Sequence, residues 1–444
     1  MKSQYARWFG SITFTVLLVF SVYVFASSTS SHASSSSDEV EAASGSNRFV
    51  VWQDNTPGKP DILLRRSTDN GATWKPTRNL SNNPGLSTFA QIAVSGSNVY
   101  VVWLQWNAES TLGDIFFKRS ADNGATWSAN INISTSGKIF TSQPRIAFSG
   151  TNVYIVWDEE QQPVPGDVFF RRSTDNGATW KSIVNISNNP EDTNQHPRII
   201  ASGNNVYVTW NHYPAYEALF RRSTDGGATW KTIVNLSDGF AASGTARIAV
   251  SGSNVYIAWS EGGILFRHST DNGATWQPTK NLGVGLGPAM ASSGSNVYLV
   301  WLVKRPVGAY YNLIFSGSPD NGATWGAKVT IKSGGLLDSY SGSVVASGNN
   351  AYVVWSQAYT GDIYFRHSTD NGATWQPTKN LSFDAGASSI PRMALSGSSV
   401  FVVWWDSTNE EVLLRRSIDS GSTWKTIVNL SSNSGDSVDA QLAV

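Results

Sequence analysis

Arginine recurs at one position in this chain where it could do specific chemistry. Arg145, Arg198, Arg247 and Arg392 each open a short apolar run, in the contexts Pro-Arg-Ile, Pro-Arg-Ile, Ala-Arg-Ile and Pro-Arg-Met. Guanidinium groups that converge can hold a carboxylate or a sulfate through paired hydrogen bonds. A repeated position does not by itself make a site, so we favour the interpretation that each arginine caps its own segment by bonding a loop carbonyl or an acid. Anion binding by the four together is the alternative.

Acidic and aromatic residues collect in loops that follow strongly apolar runs. Rings that stack on sugar faces, next to carboxylates that accept hydroxyl protons, suit carbohydrate recognition. The candidate ligand-binding residues of this kind are Asp158, Glu159, Tyr213, Tyr216, Glu261, Tyr310, Trp405 and Asp406. A glycosidase would need two carboxylates at a defined separation or a tyrosine activated by a glutamate. Tyr213 or Tyr216 with Glu217, or Tyr310 with a distant glutamate, could supply such a pair. Loop acids usually only solvate a surface, so the catalytic residues stay unassigned.

Composition removes several classes of function. The chain has 32 basic and 32 acidic side chains, so no global field draws it to nucleic acid or to an anionic membrane. With no cysteine and five histidines it offers no recognisable metal site, and we expect neither a metal nor another cofactor. No glycine-rich phosphate loop and no Ser/His/Asp arrangement is present.

A short phrase, Ser-x-Asp-x-Gly-x-Thr-Trp, occurs eight times and must position these candidates. Its aspartates, separated by 46 to 53 residues, are Asp69, Asp122, Asp175, Asp225, Asp271, Asp320, Asp370 and Asp419. A period near 50 with Trp and Gly punctuation indicates one supersecondary unit per repeat. Because the same carboxylate returns eight times, we assign it to the scaffold: it accepts backbone N–H groups inside its own turn. The Asn-Gly pair of the phrase suits positive φ, and its tryptophan anchors the turn.

Each repeat contains four short strand signals, which is typical of a propeller blade. The second strand is almost entirely apolar (for example VYVVW ending at Trp103) and needs cover on both faces, which neighbouring blades supply. The C-terminal AQLAV joined to the first SGSNRFVVW matches the internal AQIAV–SGSNVYVVW of residues 90–103. We therefore predict an all-β, eight-bladed propeller of four-stranded antiparallel blades, closed by the C-terminal strand joining the first blade. Seven blades with one stray unit is the alternative.

The repeated phrase resembles the Asp box of the sialidase-like, BNR-repeat superfamily over roughly residues 44–444. The resemblance implies that the Asp-box turns lie on the face opposite the ligand site. Family sialidases use three arginines for the substrate carboxylate, a Tyr/Glu nucleophile pair and an aspartic acid/base. Their Phe/Tyr-Arg-Ile-Pro motif is absent here, with Pro144-Arg-Ile146 and its three counterparts as the nearest echoes. The family's enzymes also have six blades and long active-site loops.

Basic doublets recur at the end of the third strand of most repeats, among them Arg65-Arg66 and Arg171-Arg172, with Arg267-His268 and Arg366-His367 as variants. A basic belt on the Asp-box face could meet anionic polymer or lipid headgroups. We favour the interpretation that one member of each pair is solvated while the other pairs within its own blade.

The first residues set the compartment. Lys2 and Arg7 precede an apolar run that ends at Ala26, so 1–26 is expected to be a signal peptide or an N-terminal membrane anchor. Residues 27–43 form a serine-rich, disordered linker, and 44–444 form the propeller.

We therefore expect a monomeric, extracellular or cell-surface protein that touches the membrane only through its N-terminal segment. Our preferred function is recognition of a glycan or protein ligand on the face opposite the Asp boxes. A sialidase-type exo-glycosidase that removes terminal sialic-acid-like sugars is the alternative, and a structural surface protein is the second alternative. Binding is favoured over catalysis.

Overall fold

The computed structural model describes residues 45–444 except positions 57, 110–111, 136–139, 142, 162–163, 189–191, 214, 216, 238–245, 307, 309, 335–341, 358–360, 384–386 and 434. The predicted leader and linker lie outside the described residues. Among the residues that are described, no helix has the length and apolar character needed to cross a membrane.

Eight antiparallel sheets follow one another around a ring. Each sheet is a blade of four strands, counted from the channel outwards, and blade 3 has five only because its inner strand is broken in two. Every inner strand contacts the inner strands of the two adjacent blades, and blade 8 contacts blade 1. The prediction of eight blades is confirmed, and the alternative of seven is wrong.

The strand bounds repeat from blade to blade. The inner strands of blades 1 to 8 are Ser437–Ala443, Ser87–Ser95, Phe140–Thr141 with Arg145–Ser149, Thr193–Ser202, Arg247–Ser251, Leu286–Ser293, Gly342–Ser347 and Ser388–Ser396. The second strands are Arg48–Asp54, Asn98–Trp106, Asn152–Gln161, Asn205–Tyr213, Asn254–Ser260, Asn296–Lys304, Asn350–Gln357 and Ser399–Asp406. The third strands are Asp61–Ser67, Gly113–Ser120, Val164–Ser173, Glu217–Ser223, Ile264–Ser269, Tyr311–Ser318, Asp362–Ser368 and Glu411–Ser417. The outer strands are Arg78–Asn79, Ile131–Asn132, Val184–Asn185, Val234–Asn235, Lys280–Asn281, Val329–Lys332, Lys379–Asn380 and Val428–Asn429. Such short outer strands leave little free edge for pairing with another chain.

The C-terminal strand closes the ring as predicted. It pairs with the second strand of blade 1, with Phe49 opposite Ala443 and Asp54 opposite Ser437. The fully buried carboxylate of Asp54 accepts hydrogen bonds from Ser437 Oγ and Asn433 Nδ2, both at 2.6 Å. It also accepts one from Trp52 Nε1 at 3.0 Å. One carboxylate thus ties together two parts of the sequence that are nearly the whole chain apart.

The second strands form the core because neighbouring blades cover both of their faces. Their eight tryptophans are at most 1% exposed: Trp52, Trp103, Trp157, Trp210, Trp259, Trp301, Trp355 and Trp404. The apolar clusters run between adjacent blades, as where Val51 of blade 1 packs with Ile92 and Val101 of blade 2. The core is therefore a ring of inter-blade contacts, which explains the continuous apolar runs of these strands.

The Asp-box turns have the same geometry in all eight blades. In blade 2, Asp122 Oδ1 accepts from the backbone N–H of Thr126 at 2.8 Å and Oδ2 from its hydroxyl at 2.6 Å. Asn123 and Gly124 have φ of 54° and 75°, as the Asn-Gly signal predicted. The tryptophan of each box reaches the preceding blade: Trp180 meets Phe117 edge-on at 4.9 Å. The scaffold role assigned to the eight aspartates is the one their contacts describe.

The basic doublets join blades in both directions. The first member bonds a carbonyl of the preceding blade, as Arg171 does to Ile133 at 2.7 Å. The second member bonds an Asp-box carbonyl of the following blade, as Arg172 does to Gly226 at 2.7 Å. The expectation that one member is solvated is wrong for these doublets, because both side chains bond backbone carbonyls of neighbouring blades. Pairing within the same blade is present as well, as where Arg171 Nε donates to the carbonyl oxygen of Lys181 at 2.8 Å.

Two blades replace the forward arginine by histidine and supply the bond differently. In blade 5, Lys280 of the outer strand donates to the carbonyl oxygen of Ala323 in the next box, and in blade 7 Lys379 donates to Ser422. The buried rings of His268 and His367 stack on Phe266 and Tyr352 instead.

Candidate functional site

The strand order places the arginines and the Asp boxes on opposite faces. The Asp-box turn touches the turn between the inner and second strands, as where Asn123 N donates to Ser97 O at 2.9 Å. Both turns therefore lie on one face, and the inner strands begin on the other. We call the eight residues at this level the mouth position, because they surround the end of the central channel: Gln441, Gln91, Arg145, Arg198, Arg247, Ala289, Ser343 and Arg392 for blades 1 to 8.

Within the described residues, a β-bulge precedes the mouth position in five blades. The register of the inner strand shifts between Thr88 and Gln91, and likewise in blades 1, 4, 6 and 8. The bulge residue is left-handed in each: Phe89, His196, Gly287, Ile390 and Asp439 have φ between 53° and 60°. Ile390 is β-branched, and such residues occupy this region only under strain. A bulge re-aims the side chains that follow it, so it sets where the mouth residues point. Nothing in the sequence pattern announced these bulges.

Three of the four arginines are buried at the mouth position. Arg145 and Arg247 are 5% exposed and Arg198 is 2% exposed, whereas Arg392 is half-buried. Arg247 Nε donates to the carbonyl oxygen of Pro288 in the next blade at 3.1 Å, and one terminal N–H of Arg145 donates to Gln143 Oε1 at 2.9 Å. Arg247 thus bonds the inner strand of the next blade rather than its own segment, and Arg145 bonds a glutamine amide two residues earlier.

Asp439, which the sequence analysis did not select, belongs to the same level. Burial raises the pKa of its carboxyl, while the positive charges of Arg392 and Arg145 lower it in part. These arginines come from blades 8 and 3, on either side of the blade 1 strand that carries Asp439, so charges from three blades meet there. The signal that could have found Asp439 is its place two residues before the mouth residue Gln441 in the C-terminal repeat of AQIAV.

Most of the candidate acids serve the fold. The tryptophan of the second strand finds its hydrogen-bond acceptor two residues later in two of these blades: Trp157 Nε1 donates to Glu159 at 2.7 Å, and Trp259 Nε1 to Glu261 at 2.8 Å. Asp406 accepts from Asn409 Nδ2 at 2.7 Å and shapes its own loop. All three carboxylates, and that of Asp158, are 9% exposed or less. In these two blades an acid at this register gives the buried indole N–H a partner, whereas the indole N–H groups of Trp301, Trp355 and Trp404 have none among the described residues.

Blade 4 departs from that arrangement. Its tryptophan donates instead to Asn194 Oδ1 at 2.9 Å, and His212, at the position of Glu159, places Nδ1 3.1 Å from the same oxygen. The other ring nitrogen of His212 lies 3.5 Å from Asp192 Oδ2. Since amide oxygens only accept, Nδ1 of His212 is the donor to Asn194 Oδ1.

The candidate aromatic residues differ in exposure. Tyr310 is 45% exposed in the loop between the second and third strands of blade 6, Tyr213 and Trp405 are half-buried at strand ends, and Tyr216 lies outside the described residues. Phe383 and Val284, in loops that lead to inner strands, are about 70% exposed (70% and 71%) on the same face. Sequence reasoning missed these two because they fall outside the repeated strand signals.

The channel itself holds a cavity of about 310 Å³. Gln91, Arg392 and Gln441 line it at the mouth, and mainly aliphatic side chains of the inner strands line the rest. Within the described part of the chain, no group of three or more His, Asp or Glu side chains is placed to hold a metal ion.

Comparison with known proteins gives a family match for part of the chain. Residues 247–439 match the BNR repeat-like domain family. The xyloglucanase Xgh74A of Acetivibrio thermocellus is 26% identical over 166 residues, which cover 33% of this chain and 19% of that protein, so the similarity spans about a fifth of the relative's length. The solved structure of YCF48 bound to D1 peptide is 18% identical with a TM-score of 0.44, covering 78% of this chain and 98% of YCF48. The NanB sialidase from Streptococcus pneumoniae is 9% identical with a TM-score of 0.41, covering 89% and 95%.

At these similarities no relative's activity is carried over to this chain. The chain is an eight-bladed β-propeller with an Asp-box turn in each blade, and its residues 247–439 match the BNR repeat-like domain family.

Proposed function

We propose that this propeller is an exported or surface-tethered recognition module that binds a glycan or protein ligand through the face on which its inner strands begin. The observation that carries the proposal is the set of mouth residues. The Asp boxes, tryptophans and basic doublets repeat because the scaffold needs them, whereas the mouth residues differ from blade to blade. The mouth residue is arginine in blades 3, 4, 5 and 8 and Gln, Ala or Ser in the other blades. An asymmetric cationic arc of this kind suits a ligand with an acidic group.

Exposed apolar and aromatic side chains support recognition on the same face. Tyr310, Phe383 and Val284 are exposed in loops on the face where the inner strands begin. Aromatic rings and cationic side chains on one face suit acidic sugars and acidic peptides alike.

The exo-glycosidase alternative has less support from the acids. Glu159 and Glu261, two of the carboxylates available for catalysis, each hold a core indole. The sialidase-like fold and a relative named as a xyloglucanase keep carbohydrate within the proposed ligand range. They do not choose between binding and hydrolysis.

The test starts with the full-length chain on an array of neutral and acidic glycans, followed by calorimetric titration of any ligand found. Arg392→Gln, which is half-buried, and the double variant Arg198→Gln/Arg247→Gln should each weaken an acidic ligand by about tenfold or more, the size of a lost charge-assisted hydrogen bond. Lys75→Gln, exposed beside an Asp box, is the control and should bind as the wild type.

A hydrolysis assay separates the two functions. The recognition proposal expects a fluorogenic sialoside to remain intact in the presence of the wild-type chain. Release of the fluorophore that disappears in Arg198→Gln but persists in Lys75→Gln would establish the exo-glycosidase in its place. Equal affinity of the wild type and all arginine variants for the ligand would show that the mouth residues are not part of the ligand site.

A further inference from the structure

The cavity in the channel changes character along its axis. Its polar end is formed by mouth residues of three consecutive blades, Arg392 of blade 8, Gln441 of blade 1 and Gln91 of blade 2. The residues that follow along the inner strands are Met393 and Leu395 in blade 8 and Ile92 in blade 2. A hydroxyl deeper in the channel, on Ser292, is already bonded to the carbonyl oxygen of Val250 at 3.0 Å.

We propose that the channel binds an anionic amphiphile, with its acid group at Arg392, Gln91 and Gln441 and its alkyl tail along the channel. The inference rests on the proposed function, since it names the ligand class for the same mouth.

The polar end suits a carboxylate. Arg392 contributes a guanidinium with several donors in one plane, and the two glutamine side chains flank it with amide groups. Gln91 uses its amide to donate to the carbonyl oxygen of Ala90 at 3.0 Å, which keeps the side chain at the mouth. An acid group without a tail would leave the apolar length of the channel unused.

The apolar length sets the size of the tail. From Arg392 to Leu395 an inner strand advances by roughly 10 Å, at about 3.3 Å per residue. The cavity of about 310 Å³ lies near the lower end of the range for small-molecule sites. Both dimensions favour a chain of medium length over a long or branched lipid.

A saccharide fits the deeper channel less well than an alkyl chain. Sugar hydroxyls need hydrogen-bond partners along their whole length. The side chains beyond the mouth, such as Ile146, Phe148, Ile199 and Val345, offer none, which leaves only backbone groups at the edges of the inner strands.

The experiment titrates the full-length chain with hexanoate, octanoate and decanoate, each below its micelle concentration, and with decan-1-ol and glucuronate. We expect one site whose affinity rises by up to about fifteenfold for each added pair of methylenes, the gain for burying them fully. Decan-1-ol, with the same tail and no charge, should bind at least about tenfold more weakly than decanoate.

Two sets of variants separate tail from head. Ala201 and Ala346 occupy the register that holds Leu395 in blade 8, so the double variant Ala201→Leu/Ala346→Leu introduces a side chain that the repeat already accommodates. It should weaken decanoate by about tenfold through lost space for the tail and leave hexanoate unchanged. Arg392→Gln should weaken decanoate and leave decan-1-ol unchanged. Ala72→Leu, exposed in an Asp-box turn, is the control.

The results that overturn this inference differ from those that overturn the proposed function. Equal affinity across the fatty-acid series, or decanoate binding unaffected by the double leucine variant, shows that no tail enters the channel. Tighter binding of glucuronate or an acidic peptide than of decanoate, if it depends on Arg392, contradicts the amphiphile as ligand. The proposed recognition function at the mouth then still holds. If the leucine variant melts below the wild type, the chain-length series and Arg392→Gln still decide.

Discussion

At the residue scale, the surroundings of an aspartate decide whether the pKa of its carboxyl lies below or above the usual value. In the Asp boxes the hydrogen bonds from a threonine and a serine hold the pKa low, at about 2 for Asp370 and Asp419. Burial raises the pKa of Asp436, where the C-terminal segment meets blade 1, and that of Asp439 at the mouth. Other acids add to this effect at Asp436. The box aspartates are therefore fixed anions of the scaffold, whereas burial favours the neutral form of Asp439.

The two buried histidines give the fold a pH dependence that can be measured. Burial lowers the pKa of His268 and His367, the charges of Lys280 and Lys379 lower it further, and Asp320 and Asp419 partly oppose them. In the unfolded chain both rings take up protons near pH 6.5, before the folded ones do. The stability that the neutral rings contribute is thus complete above that pH and is lost as the pH falls below it.

We expect the urea midpoint of the wild-type chain to fall between pH 7.5 and 5.5, and to fall less in the double variant His268→Gln/His367→Gln. His212→Gln, the same substitution in blade 4, is the control. Identical slopes in the wild type and the double variant would show that these two rings do not carry the effect.

Sequence reasoning reached the residues that repeat and missed those that depend on a local break in the repeat. The eight box aspartates and their Asn-Gly turns were predictable because a turn is a local structure with its own residue requirements. Asp439 was not, because its importance comes from a bulge and from arginines of two other blades. Glu159 and Glu261 were selected as ligand-binding acids, but each accepts a hydrogen bond from the tryptophan two residues earlier. The sequence does not show that this indole N–H is buried and that the acid lies beside it.

At the scale of the blade, neighbours are held by backbone acceptors as well as by apolar packing. Each doublet reaches backwards with its first side chain and forwards with its second, so every interface between such blades carries hydrogen bonds from both sides. The recurrence of the doublets was visible in the sequence. Their direction was not, because the acceptors are carbonyl groups that every residue possesses.

Removing a forward bond should weaken one interface measurably. In Arg172→Met the carbonyl of Gly226 loses its partner at 2.7 Å, and we expect a loss of about 1–3 kcal/mol in the free energy of unfolding. Lys181→Met, an exposed change at the start of the same outer segment, should stay within about 0.5 kcal/mol of the wild type. Denaturant unfolding of both variants makes the comparison, and equal stability would mean that water replaces the arginine at no cost.

At the scale of the whole molecule, the ring is closed by the pairing of the C-terminal strand Ser437–Ala443 with Arg48–Asp54 of blade 1, which we call the seam. Asp54 and Asp406 occupy the same register at the end of a second strand, but only Asp54 accepts bonds from the C-terminal segment. Burial pushes the pKa of Asp54 up, yet the bonds from Ser437, Thr56 and Asn433 outweigh it and hold the pKa below its usual value. The seam is thus fastened by an ionised carboxylate with no exposed surface. The complementary sequences of the two chain ends predicted this closure, although not the residue that fastens it.

Breaking that bond set should destabilise the protein more than the matched change in blade 8. We expect Asp54→Ala to lower the free energy of unfolding by about 3 kcal/mol, since several buried donors lose a charged acceptor, and Asp406→Ala by about 1 kcal/mol. Hydrogen exchange should then rise first in blades 1 and 8 of Asp54→Ala. Equal losses in the two variants would show that the seam is no weaker than the other interfaces.

The seam also determines when the ring can close during synthesis of the chain. The partner strand of blade 1 leaves the ribosome some 383 residues after Asp54, a delay of roughly 20 to 80 seconds at 5–20 residues per second. Throughout that interval the first blade presents an unpaired β-edge, and blades 2 to 8 can form only an open arc. A frameshift that removes only the last few residues would leave nearly all of the protein translated and none of it circular.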